Sequence, residues 1–137
     1  MTGTTAPPRV VYDSTVTAVG EQVPAFLDHG LLIFFGDESP AELHDMSVRH
    51  TAVVAEEGPK PGDTIVLGDH RVEVLAVGAV VADNLLQLGH LDLKANGQTE
   101  AKLPGDVNVA KQDLPLLSPG DAFRILRGDG RTTEEHT

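Results

Sequence analysis

Short runs of alternating apolar and polar side chains, most of them rich in valine, recur along the chain between glycine and proline punctuation. Residues 10–19, 31–35, 47–54, 64–67, 71–81, 90–95, 107–109 and 122–126 each fit a strand by their period of two. Helical signals are few and short. Ser39-Pro40-Ala41-Glu42 has the form of a capping box with proline at the first helical position, which predicts one or two turns to about Met46. Asp83 can cap a second stretch through Leu88 that ends at Gly89, and residues 21–29 can hold a third, broken near Pro24.

Turn chemistry separates these runs. Pro61-Gly62-Asp63, Pro104-Gly105-Asp106 and Pro119-Gly120-Asp121 each pair a preset φ with a residue free to take positive φ, as a type II turn needs. Lys94-Ala95-Asn96-Gly97 reads as a hairpin with Asn-Gly at its tip. Many short strands between such turns predict an all-β fold with minor short helices: a closed or nearly closed small β-barrel. It occupies one domain, residues 10–127, between loose polar tails at 1–9 and 128–137, the latter holding His136.

Composition narrows the function. The 137 residues are 40% hydrophobic but only 4% aromatic, so the core is expected to be mostly Val, Leu, Ile and Ala. There is no cysteine, which removes disulfides, cysteine zinc sites and thiolate phosphoryl carriage, and permits a cytoplasmic address. Net charge is −11 with Lys and Arg scattered singly, so no basic stripe exists for nucleic acid to follow. No apolar run approaches the roughly 20 residues of a membrane span, and the first residues lack a signal-peptide core. The chain reads as a soluble protein that does not itself span a membrane.

Six histidines are the side chains able to work near neutral pH, and they do not cluster into H-x-H, H-x-x-x-H or H-E-x-x-H. No phosphate-binding loop, G-x-S-x-G or dinucleotide fingerprint is present. His50 stands in Ser47-Val48-Arg49-His50-Thr51-Ala52-Val53-Val54, where strand periodicity places it with Val48, Ala52 and Val54 and turns Arg49, Thr51 and Val53 the other way. An imidazole in an apolar row stays neutral because desolvation disfavours its cation, and a neutral ring has the lone pair that attack on phosphorus requires. By itself such a position suits a hydrogen-bonded structural histidine better than a nucleophile. His70 and His90 sit at loop ends, where a ring nitrogen can simply tie a turn. His44 reads as an exposed helix residue.

The run Val77-Gly78-Ala79-Val80-Val81-Ala82-Asp83-Asn84-Leu85-Leu86-Gln87-Leu88-Gly89-His90 closely resembles the glucitol/sorbitol-specific IIA component of the phosphoenolpyruvate-dependent sugar phosphotransferase system (PTS). Leu67-Gly68-Asp69-His70-Arg71 resembles the same family's L-G-x-H-R, and Pro40-Ala41-Glu42-Leu43 its P-A-[DE]-L. In that family the phosphorylated histidine follows P-A-[DE]-L on the next strand, which implies His50 as the phosphohistidine intermediate, with His70 and His90 as possible supports. The residues after it, Thr51-Ala52, carry neither the histidine nor the cysteine of the pattern. The resemblance implies a cytoplasmic carrier that accepts a phosphoryl group from phospho-HPr and passes it to the glucitol/sorbitol-specific IIB component, ahead of the membrane-embedded IIC. No metal or cofactor is implied. It also requires the His50 ring to reach solvent uncharged. Two other readings compete: a non-catalytic β-barrel binding or regulatory module with structural histidines, and a metalloenzyme in which His50, His70 and His90 converge on one ion.

Overall fold

The computed structural model describes residues 8–128, so the expected tails, His136 included, lie outside it except for Pro8, Arg9 and Gly128. Eight strands form: β1 (Arg9–Val19), β2 (Leu31–Gly36), β3 (Val48–Ala55), β4 (Thr64–Leu67), β5 (His70–Val77), β6 (Leu91–Lys94), β7 (Asp106–Val109) and β8 (Ala122–Arg127). They close into one barrel in the order β1-β3-β2-β6-β7-β5-β4-β8, as the alternation predicts. Closure leaves no unpaired sheet edge.

The barrel is filled by the inward positions of these strands, among them Val11, Val16, Leu32, Val48, Ile65, Val74, Leu93, Val107 and Ile125, all at most 1% exposed. Aromatics matter more than their small number suggests. Phe34 and Phe123 stack across the interior with ring centroids 4.1 Å apart, and Tyr12 leans on Phe123 at 5.6 Å.

Helices are shorter than expected or shifted. α1 (Val23–Leu27) contains Pro24 at its first turn, so proline starts this helix rather than breaking it. The expected capping box does not form: a single 3-10 turn covers Ala41–Leu43, and the Ser39 hydroxyl makes no capping bond. α2 (Val81–Leu88) begins two residues before Asp83 and ends the strand reading of 71–81 at Val77; Asp83 lies in its first turn without capping it. Its expected end is found, with Gly89 left-handed at φ 66°.

All three Pro-Gly-Asp triplets close a four-residue turn, through Asp63 N to Lys60 O, Asp106 N to Leu103 O and Asp121 N to Ser118 O. Gly62 and Gly120 take positive φ there and Gly105 does not, so two of the three follow the expected chemistry. The Asn-Gly hairpin is overturned. β6 and β7 run parallel, as do β2 and β3. Asn96 instead turns the chain locally, its Oδ1 accepting from Gln98 N at 3.0 Å, while its Nδ2 donates to Asn108 Oδ1 at 3.1 Å.

Candidate functional site

His50 lies on β3 between Val16 of β1 and Gly36 of β2. It is only 2% exposed, contrary to the expectation that its ring reaches solvent. Aromatic edges and faces surround it: Phe123 at 5.0 Å, Phe34 at 5.8 Å and Tyr12 at 6.0 Å between centroids. Both nitrogens are engaged. Nδ1 is 2.9 Å from Ser14 Oγ, and Nε2 is 2.7 Å from the Gly89 carbonyl oxygen. Burial pushes the pKa of this ring below its ordinary value, against smaller opposing pulls from the Gly89 carbonyl and the Asp37 charge. That shift favours the neutral form of the ring.

The same interior pushes the Tyr12 phenol up to about 12. Beyond His50 the expected alternation fails. Ser14 pairs with Ala52 but Asp13 pairs with Val54, so a bulge expels Val53 to 76% exposure and leaves Ala52 exposed too. Thr51 and Ala52 therefore both face the cavity beside His50.

Two glycines bring a carbonyl to that ring. A Cβ on Gly89 would stand 2.6 Å from Gly36 N, 2.8 Å from Gly36 Cα and 3.2 Å from His50 Nε2. A Cβ on Gly36 would stand 3.1 Å from Leu88 O. The C-terminus of α2 can settle onto β2 only because neither residue has a side chain.

Over this contact opens a cavity of about 710 Å³, walled by His50, Phe35, Asp37, Ser39, Thr51 and residues 85–89 of α2 and its cap. Leu86 and Leu88, 41% and 57% exposed, form its apolar rim. Asp37 stands at the wall with Thr17 and Thr51 hydroxyls donating to its two oxygens, the latter at 2.6 Å. Those bonds hold its carboxyl below the usual range, helped by the charge of Arg49. Among the described residues, Ser39 Oγ and Arg49 Nε are the buried side-chain polar atoms without a hydrogen-bond partner. Ser39 lines this cavity, and its hydroxyl oxygen is itself buried and unpartnered.

The other histidines stand apart from the His50 ring. His90 stacks on Phe35 at 4.1 Å and bonds Asp92 Oδ1 at 3.0 Å; Phe35, not His90, reaches the cavity wall. His70 bonds Gln112 Oε1 at 2.7 Å and lines a different hollow with Asp69, Leu116 and Asp121. His44 is half-buried rather than exposed, its Nε2 donating to the Ser39 carbonyl at 3.0 Å. His50, His70 and His90 thus have separate partners, and the described residues hold no group of three or more His, Cys, Asp or Glu placed to share a metal ion. Ser14, the aromatic surround and the Gly89 carbonyl escape a reading of the sequence. The one available signal was a serine at an inward position of β1 between Tyr12 and Val16.

In fold, the barrel is that of a PTS IIA component. The crystal structure of the PTS system IIA component from Enterococcus faecalis V583 matches 81% of this chain and 96% of that one at a TM-score of 0.68, with 21% identity, a likeness of fold. Residues 11–124 match the family described as the PTS system glucitol/sorbitol-specific IIA component. The glucitol/sorbitol-specific EIIA components of Shigella flexneri and Escherichia coli K12 are each 36% identical over 116 residues, 85% of this chain and 94% of theirs. The chain belongs to the glucitol/sorbitol-specific IIA family of the sugar phosphotransferase system.

Proposed function

We propose that the protein is a cytoplasmic phosphocarrier that receives a phosphoryl group from phospho-HPr on His50 and passes it to the glucitol/sorbitol-specific IIB component during sugar uptake. The observation that carries this reading is an imidazole in the wall of an apolar-rimmed cavity, where burial favours its neutral form. Such a ring has a lone pair to offer, and the rim of Leu86 and Leu88 suits the face of a partner protein. Nε2 is the acceptor. It points to Gly89, which lines the cavity, whereas Nδ1 points to Ser14, which is 1% exposed and does not.

Transfer between two histidines joins chemically similar states, so the chain's task is placement and charge stabilisation. Ser39 lines the cavity and its hydroxyl makes no hydrogen bond in the resting fold, and it is the donor proposed here for a phosphoryl oxygen. Because both His50 nitrogens are engaged in the resting fold, transfer also requires the Gly89 carbonyl to withdraw. His70 and His90 take no direct part, since their rings bond Gln112 and Asp92.

Incubation with phosphoenolpyruvate, enzyme I and HPr is expected to place acid-labile, base-stable label on the chain, mapped to His50 by mass spectrometry. His50→Gln is expected to abolish it with the fold intact. Label retained in that variant moves the acceptor elsewhere. A second reading, a non-catalytic barrel with a structural His50, is favoured by the ring's 2% exposure and two hydrogen bonds, and it expects no label.

A further inference from the structure

The hydrogen bonds around His50 cannot all be made at once by a neutral ring. Gly89 O only accepts, so the 2.7 Å contact requires the proton on Nε2. Ser14 Oγ lies 2.9 Å from Nδ1 and 3.2 Å from the Phe123 carbonyl, and a hydroxyl has one proton to give. With Nε2 protonated, Nδ1 is a bare acceptor. Ser14 must then donate to it and leave the Phe123 carbonyl. With the proton on Nδ1 instead, Ser14 accepts from the ring and donates to Phe123, so that side is fully satisfied. Nε2 then turns a lone pair on the Gly89 oxygen, acceptor against acceptor. The first arrangement keeps the α2 cap closed on the ring. The second supplies the nucleophile.

We propose that the Ser14 hydroxyl is a two-position switch for the His50 proton, donating to Nδ1 in the resting chain and turning to the Phe123 carbonyl when Nδ1 carries the proton and Nε2 is bare. This rests on His50 being the phosphoryl acceptor. Ser14 is a positioning residue: it is 1% exposed, does not line the cavity and reaches the reaction only through the ring. The tautomers exchange through water, one proton leaving Nε2 and one arriving at Nδ1, while the Gly89 carbonyl swings away from a nitrogen that no longer donates to it. The Nε2 lone pair then forms the new N–P bond as the N–P bond of the donor's phosphohistidine breaks, that electron pair returning to the donor nitrogen. No proton crosses in this step. Nδ1–H stays bonded to Ser14, ready to stabilise the ring when it becomes the leaving group for the next acceptor.

The test is ¹⁵N NMR of histidine-labelled chain, free and after phosphorylation, with the rate of label uptake measured alongside. The free chain is expected to show the Nε2–H tautomer at His50 and the phosphorylated chain Nδ1–H. Ser14→Ala should retain the fold, shift the Nδ1 resonance by loss of its donor, and slow uptake by about ten-fold, the worth of one hydrogen bond. Ser14→Cys, with a similar shape and a weak donor, should fall between the two. A free wild-type ring in the Nδ1–H form overturns the switch, as does Ser14→Ala taking label at the wild-type rate. The free-chain spectrum needs no phosphoryl donor, so failure of wild type to take label at all overturns the carrier reading and is distinguishable from failure of the switch.

Discussion

A histidine enclosed by three aromatic rings has lost most of the water that would stabilise its cation, and that loss has a consequence for the folded state. The unfolded chain exposes this imidazole, which titrates near 6.5. In the fold, burial lowers its proton affinity. Between the two pKa values the unfolded chain binds more protons than the native one, so stability falls as pH drops below about 6.5 and levels off beneath the folded value. Asp37 and Glu57, whose carboxyls are held below their usual range, lose their contribution only below about pH 4.5, outside this window. Urea unfolding between about pH 7.5 and pH 5 should therefore show wild type losing more stability than His50→Gln. Equal losses would mean the buried ring titrates as if exposed. The position of His50 on a strand was legible from Ser47-Val48-Arg49-His50. What binds it was not: Phe123 and Ser14 are 109 residues apart, and only barrel closure brings them together.

At the scale of elements, α2 shows how a short helix can control a side chain it does not contain. Gly89 ends it at φ 66°, the left-handed region that an alanine enters only with strain. Alanine there also meets the backbone of Gly36 at 2.6 Å, which no rotamer change can relieve. Gly89→Ala is expected to cost roughly 2–4 kcal/mol and to break the Nε2 contact, read as a lowered melting temperature and a moved His50 ¹⁵N resonance. Gly105→Ala is the control, with nothing within 4 Å of its Cβ and no positive φ, and should change stability by less than about 0.5 kcal/mol. Comparable losses in both would mean that crowding at Gly89 is not what matters. Glycine after Leu88 announced the end of α2 in the sequence, and alternation with Gly/Pro punctuation announced all eight strands. The parallel pairing of β6 with β7 was hidden, because Asn-Gly describes a turn and not which strand lies alongside. The bulge in β3 was hidden for a similar reason: it comes from register against β1, a tertiary choice that local periodicity does not encode.

Across the whole molecule, the barrel must join its first strand to its last, and the outermost rung of that seam pairs Arg9 with Arg127. Two like charges opposite one another oppose closure. Glu57 answers both, its Oε1 accepting from Arg127 at 2.6 Å and its Oε2 from Arg9 at 2.8 Å, and those bonds draw its carboxyl pKa down, Arg127 first. Arg127 further grips Asp63 with a two-pronged bond, Nε to Oδ1 at 3.0 Å and Nη2 to Oδ2 at 2.8 Å, and reaches the Gly58 carbonyl at 3.2 Å. One side chain thus ties the end of β8 to the start of β4 and to the segment leaving β3. Asp63 is 3% exposed, so removing the guanidinium leaves a buried carboxylate with the Lys60 amide as its remaining donor. Arg127→Ala is expected to lower unfolding free energy by roughly 2–3 kcal/mol, and Arg127→Lys to recover only part, since an ammonium cannot reproduce the fork. None of these residues lines the cavity at His50, so phosphoryl acceptance per folded molecule should be unchanged in both variants. Denaturant titration and label uptake, measured on the same samples, separate the two effects. A drop in uptake that exceeds the folded fraction would couple the seam to the site and refute their independence.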